Sequence, residues 1–463
     1  MKNAGWRLSA CIASCCMLAT PSYAGTTIAP GETLETHPTE GPNIDNFDFI
    51  DNQGTINNSN DISNHSESRL DNSGVINNSI DGSIYFSYGQ QHNNTVFNNS
   101  NLLNNSGAVM ANGLYTRLNN SGTIINTGGI VGFHTTTTSG VIDNYGRIEA
   151  NSHYAHSFNI TSTGVLNNIY TSDMPPIPPG QMAVDPTVII QGVLTNDGVI
   201  NNADEGYIEV SSGGESRLVN NGVINNGDGT NNHAPTPQLR ADQIENNGEI
   251  NNRVNIEASS ITSTGTILNE GTISASSFTV DGGTLAGSGQ IIMWDSYPDT
   301  GTLVITEHGT LAPMSTTDSY GNTGEFTAQM TIDGDVLLDG TFEVDFFGYG
   351  YGGDQNYDSL HINGDLVLGE TAFLDLNFNE LLEDYIYFED LSGLELITAD
   401  SITGEFSNNF FFYDGNHYAW EIVNGSTLVF DVAEVPVPAS IWLFMTGLMS
   451  LATFRRTRSA KAG

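Results

Sequence analysis

LVNNGVINN, Leu218 to Asn226, contains no group that acts as an acid, base or nucleophile at neutral pH, yet the chain repeats it with small changes over most of its length. The pattern apolar-x-Asn-x-Gly-x-apolar occurs nine times: IDNQGTI from Ile50, LDNSGVI from Leu70, LNNSGAV from Leu103, LNNSGTI from Leu118, IDNYGRI from Ile142, LTNDGVI from Leu194, LVNNGVI from Leu218, IENNGEI from Ile244 and ILNEGTI from Ile267. Neighbouring copies are often 20 to 26 residues apart. That is the period of a solenoid in which each copy marks one coil. A unit this short and polar buries no face by itself, but stacked coils share a continuous core, every strand bonded to the strands above and below. Ile and Val suit the strands, and Asn and Gly tolerate the positive φ of a bend. The expected bends are Asn52 with Gly54, Asn72 with Gly74, Asn196 with Gly198, Asn220 with Gly222 and Asn246 with Gly248. Asn at one bend of successive coils is expected to stack into an amide ladder.

Helices are excluded locally, because Asn, Gly, Thr and Ser are weak helix formers and no apolar stripe of 3.6-residue period is present. Regular Leu and Ile argue against a disordered Asn-rich tract. The expected fold is therefore all-β, a parallel β-helix over residues 45–300 preceded by a lead-in at 25–44. Two Pro-containing interruptions, SDMPPIPPGQMAVDP before Val188 and residues 228–242, read as loops leaving the coil.

Composition shifts near residue 255. Of 51 Asn, 39 lie between Asn43 and Asn252, whereas the later region exchanges Asn for Asp and gains aromatics. A second β-rich, acidic module is read at 301–432, with two copies 30 residues apart, IDGDVLLDGTFEVDFF from Ile332 and INGDLVLGETAFLDLNF from Ile362. TLAGSGQI, TLAP at Thr310 to Pro313 and these units resemble the closing part of autotransporter-like adhesin passengers. Met314 stands where that family often has Gly. The resemblance implies a right-handed solenoid.

Charge narrows the partners. Between Gly25 and Glu434 there are 53 acids against six Arg and no Lys, a formal charge of −47. Such a surface repels nucleic acid and anionic headgroups and leaves divalent cations and uncharged glycans as compatible partners.

The two ends read as addresses. Residues 1–24 have a basic start (Lys2, Arg7), an apolar run and small residues before a cut between Ala24 and Gly25, the pattern of a secretion signal helix read by signal peptidase. All three Cys (Cys11, Cys15, Cys16) lie within it, so the mature chain is expected to have no disulfide. At the other end, Val435 to Phe454 is 20 uncharged residues, the length of a membrane-crossing helix, followed by Arg455, Arg456 and Arg458. Val435-Pro436-Val437-Pro438, then Trp442-Leu-Phe and the Arg-rich end, is similar to the PEP-CTERM sorting signal of Gram-negative bacteria over residues 435–458. Val437 departs from the Glu of that family's name motif. The resemblance implies an exosortase as processing partner, membrane anchoring before cleavage, and release to the cell surface or polysaccharide matrix.

Reactive chemistry is sparse. The ten His form neither HExxH nor a Cys/His cluster, and His153 and His156 are expected at the surface. Calcium is the one cofactor the composition admits, with Asp354 and Asp358 as ligand candidates in GGDQNYD and Asp333 with Asp335 as another pair. A solvated acidic loop is the competing reading of these residues. The sequence therefore points to an exported, non-enzymatic surface or matrix protein acting in adhesion or biofilm structure. A β-helix carbohydrate-active enzyme using surface carboxylates and a passive spacer are the alternatives.

Overall fold

The computed structural model describes residues 22–23, 25–37, 43–65, 67–87, 94–112, 115–150, 156–169, 186–203, 206–211, 216–227, 238–294, 301–317, 323–346, 357–378, 393–408, 410–413 and 416–431. Residues 1–21 of the expected signal helix, Ala24, the sorting tail from Val435 to Arg458, His153, Asp354 and most of both Pro-containing interruptions lie outside them, while Ser22–Tyr23, expected in that helix, pairs as a short strand with Asp45 and Asn46.

All regular structure among the described residues is β, arranged as a solenoid with three faces. Phe49–Asn52 on the second face turns through Gln53-Gly54 into Thr55–Asn58 on the third. The chain then bends into Asp61–Asn64 on the first face and returns to the second at Arg69–Asn72, one coil further on. Each strand pairs in parallel with its equivalent in the next coil: Ile50 with Leu70, Ile56 with Ile76, Ile62 with Ile84. The third face is a 15-stranded parallel sheet running from Thr33–Thr36 to Phe373–Phe378. At ~4.8 Å per step the stack is about 70 Å long.

Alternation along four-residue strands places two side chains inside and two outside. In Leu218–Asn226 the inward residues are Leu218, Asn220, Ile224 and Asn226, all essentially inaccessible. Inward Ile, Leu, Val and Phe continue from coil to coil as one core extending to Phe430. No coil has an interior of its own, so stability resides in contacts between neighbours.

The first and second faces merge into one sheet where Gln238–Asn246, Asn255–Ser263 and Thr272–Val280 run nine residues through their shared corner. Small Ala241, Ala258 and Ala275 line the inside there. Coils advance without interruption across residue 300: Thr284–Ala286 pairs with Thr310–Ala312, and that strand with Thr341–Phe346. The two 30-residue copies stack as successive coils, Ile332 on Ile362 and Val344 on Leu376. At the C-terminal end, Leu394–Thr398 pairs antiparallel with Thr427–Asp431, which joins Asn416–Val423 and Phe410–Tyr413 in a meander. These strands cover an edge that would otherwise offer unpaired backbone groups.

Two expectations need correction. The phrase does not mark one corner. Copies at Ile50, Leu70, Leu118, Leu194, Leu218 and Ile244 turn from the second face to the third, while those at Leu103, Ile142 and Ile267 turn from the third to the first. Nine phrases are therefore not nine coils, and equivalent residues of adjacent coils lie 17 to 41 positions apart.

The second correction concerns glycine. None of Gly54, Gly74, Gly198, Gly222 or Gly248 has positive φ, and neither does any corner Asn of the phrase. A Cβ on Gly222 would instead lie 2.1 Å from the carbonyl oxygen of Gly198 in the preceding coil. Glycine is selected here by the close approach of two backbones.

Candidate functional site

The corners carry the most specific chemistry in the molecule. At the corner between third and first faces, ten buried Asn form an unbroken series, 58, 78, 105, 126, 144, 168, 202, 226, 252 and 269, each Nδ2 donating to the next Oδ1 at 2.7 to 2.8 Å. Thr36 starts the series by donating from its hydroxyl to Asn58 Oδ1. The second N–H of each amide reaches a backbone carbonyl, as in Asn226 Nδ2 to Asn255 O at 2.9 Å. A buried amide satisfied in this way stabilises a coil, whereas an unsatisfied one costs about 1–3 kcal/mol.

The corner between second and third faces has a shorter version. Asn52, Asn72, Asn99 and Asn120 lead to Thr138. Ile160 interrupts the column, which resumes as Asn196, Asn220 and Asn246 before Ser263. The third corner keeps only Asn46 and Asn64 before aromatic groups take over, with Phe86 against Phe97 and Phe133 at ring-centroid distances of 5.5 and 5.4 Å.

His156 belongs to that aromatic corner. The surface position expected from sequence is overturned: the ring is 1% exposed, Nδ1 lies 2.9 Å from Phe133 O, and His134 packs edge-on at 5.4 Å. Burial, with Arg117 nearby, holds His134 below the usual imidazole range. The sequence signal that could have placed His156 inside is its alternation with Phe158 and Ile160, all on the inward side of His156–Ile160.

The calcium candidates within the described residues, Asp333, Asp335 and Asp358, each accept hydrogen bonds from the protein itself. Asp358 is 1% exposed, and its two carboxylate oxygens accept backbone N–H bonds from Ala328 (2.7 Å) and Asp345 (2.9 Å). Asp335 accepts the N–H of Asp365, and Asp333 accepts the side-chain amides of Asn363 and Gln290. Among the described residues no group of three or more acids, His or Cys is placed to hold a metal.

Burial pushes Asp358 up to about 8, Asp345 and Glu343 add to the effect, and the two N–H donors only partly oppose it. The folded state therefore retains a proton that an unfolded Asp releases near ~4. The contribution of this group to stability is full below ~4 and falls as pH rises towards 8. Urea midpoints measured from pH 5 to pH 9 are expected to fall with pH more steeply for the native chain than for Asp358→Asn. Parallel profiles would show that Asp358 is ionised throughout.

A cleft of about 360 Å³ lies beside the C-terminal meander, lined by Leu368, Glu405, Phe406, Trp420, Glu421 and Leu428. Phe406 and Trp420 meet edge to face at 6.4 Å. The sequence did not single these residues out, because the fold alone brings Phe406 and Trp420, 14 positions apart, onto one wall.

Five of the six Arg between Gly25 and Glu434 are paired with acids: Arg69 with Asp71, Arg147 with Glu149, Arg217 with Glu245, Arg240 with Glu257 and Arg253 with Glu270. The surface that remains is strongly anionic. Fold and corner columns together define a β-solenoid repeat protein. No protein-family model matches the sequence, and no curated protein is significantly similar to it.

Proposed function

We propose that the protein is an exported structural β-solenoid, sorted by a PEP-CTERM-like tail to the surface or polysaccharide matrix of a Gram-negative cell, where it acts in adhesion or matrix cohesion. The observation that carries this reading is the unbroken ten-Asn ladder along a shared core. Most of the repeat sequence is committed to a long rod, as suits a spacer or scaffold. The basic-then-apolar N-terminus and the Val435 to Arg458 segment support export, with signal peptidase and an exosortase as processing partners. The autotransporter-like motifs support a right-handed sense, and the apolar ends support a signal helix and a membrane helix before processing.

Deletion of residues 435–463 is expected to move the protein from the surface and matrix fractions to the periplasm or medium and to reduce biofilm mass. Identical fractionation with and without the tail would overturn the sorting assignment. Unchanged biofilm in a full deletion of the protein would overturn the adhesive one.

A carbohydrate-active enzyme is the second reading, favoured by Glu405 and Glu421 beside Trp420 in one cleft. Release of oligosaccharides by residues 25–434, abolished by Glu405→Gln or Glu421→Gln, would establish it in place of the structural reading.

A further inference from the structure

The outer surface of the third face differs from the rest of the molecule. From Thr55 to Asn226 its eight strands read TINN, VINN, LLNN, TIIN, VIDN, VLNNI, VINNA and VINN, with a single ionisable side chain, Asp143. In a region of charge −47 this face is nearly neutral. Its outward residues form two parallel columns. One is apolar or Thr, including Val75, Leu102, Val199 and Val223. The other is mostly Asn, including Asn77, Asn104, Asn201 and Asn225.

The outward amides bond to one another along the column. Asn77 donates to Asn57 and Asn104 to Asn77; further on, Asn201 donates to Asn167 and Asn225 to Asn201, at 2.7 to 2.8 Å. Each such bond uses one of two amide hydrogens on the donor and one of two oxygen lone pairs on the acceptor. Each of these amides thus retains a donor and an acceptor beside a strip of methyl groups, repeated at ~4.8 Å per coil on either side of a break at Ile125 and Asp143.

We propose that this face binds a neutral polysaccharide chain lying along the solenoid axis. Sugar hydroxyls both donate and accept, matching the remaining capacity of each amide. The C–H faces of pyranose rings match the methyl strip. Rungs recur at a spacing comparable to one ring of an extended chain, so weak contacts add along the polymer. A second copy is the poorer occupant: the face measures about 35 by 13 Å, roughly 450 Å² against the ~800 Å² per partner of stable protein interfaces. Two copies of such charge also repel. The same charge disfavours anionic polysaccharides.

The proposal rests on the matrix reading above, and its test separates the two. Residues 25–434 would be run in affinity electrophoresis through cellulose-derived, xylan, mannan and dextran gels, with alginate as the anionic comparison. Retardation by at least one neutral polymer and none by alginate is expected. The combined variant Asn77→Ala, Asn104→Ala, Asn201→Ala, Asn225→Ala should weaken retardation at least about tenfold, while Ser63→Ala, Ser157→Ala, Thr187→Ala and Thr195→Ala on the other faces should not. Asn201→Lys, which lays one long side chain across the column, serves if the fourfold variant melts early. Retardation that survives these third-face changes would overturn the site and leave the matrix reading standing. Absence of retardation by every neutral polymer would also overturn it, and the fractionation and biofilm assays would still decide the matrix reading independently.

Discussion

Asn226→Asp, a change of one amide to one carboxyl, is expected to destabilise the solenoid by about 4 kcal/mol at pH 7. Asn226 accepts from Asn202 and donates to both Asn252 Oδ1 (2.8 Å) and Asn255 O (2.9 Å), with no accessible surface. A carboxylate keeps the first bond and turns the other two into contacts between acceptors. The protonated acid restores one of them, so the folded state raises the pKa of the introduced group. The penalty is therefore present above the unfolded value near ~4 and is relieved as pH falls towards it. Urea denaturation at pH 7 and pH 5 would measure both effects. Asn225→Asp is the control, since Asn225 faces outward, and is expected to cost less than about 1 kcal/mol. Equal losses for the two variants would show that the buried ladder contributes nothing beyond the outer one.

Much of this architecture is written in two adjacent letters. In the Asn-Asn pairs of VINN, alternation sends the first residue out and the second in, and the β-branched residue two places before the inner Asn marks the core. The ladder was legible because its repetition is nearly literal. Which corner each phrase occupies was not, since two corners of a coil have the same physical requirements and so share one phrase. The reason for glycine was also hidden. Positive φ is a property of one residue, whereas backbone contact between coils involves residues some 24 positions apart, such as Gly198 and Gly222. The cleft around Trp420 and Phe406 lies where the repeat has ended and no period guides the reading. Of the calcium candidates, Asp358 was found as a residue but not as a chemistry. Only the folded chain brings the N–H groups of Ala328 and Asp345 to it.

Gly222→Ala is expected to cost about 2–4 kcal/mol, although the φ of the residue is not positive. The added methyl would sit 2.1 Å from Gly198 O and 2.9 Å from Gly198 N. That carbonyl already accepts the N–H of Val223 at 2.9 Å, so relief requires lengthening a rung of the ladder. The native chain shows what the lengthening looks like. At Asn101, where a side chain replaces the corner glycine, Leu102 N to Gly74 O stretches to 3.3 Å, against 2.9 Å for Val75 N to Gly54 O. Where Val254 occupies a corner, Gly227 beneath it adopts a φ of +86°. Gly198 and Gly222 have no such accommodation, and Gly248 stacks on the far side with the same 2.1 Å clearance. Each coil touches only its neighbours, so a fault at this step separates the coils before it from those after it. Calorimetry of the variant should therefore resolve two transitions where the native chain has one, while Asn221→Ala, one position earlier and exposed, should leave a single transition near the native temperature. One unshifted transition for Gly222→Ala would mean that the corner opens as easily at Gly222 as it does at Asn101.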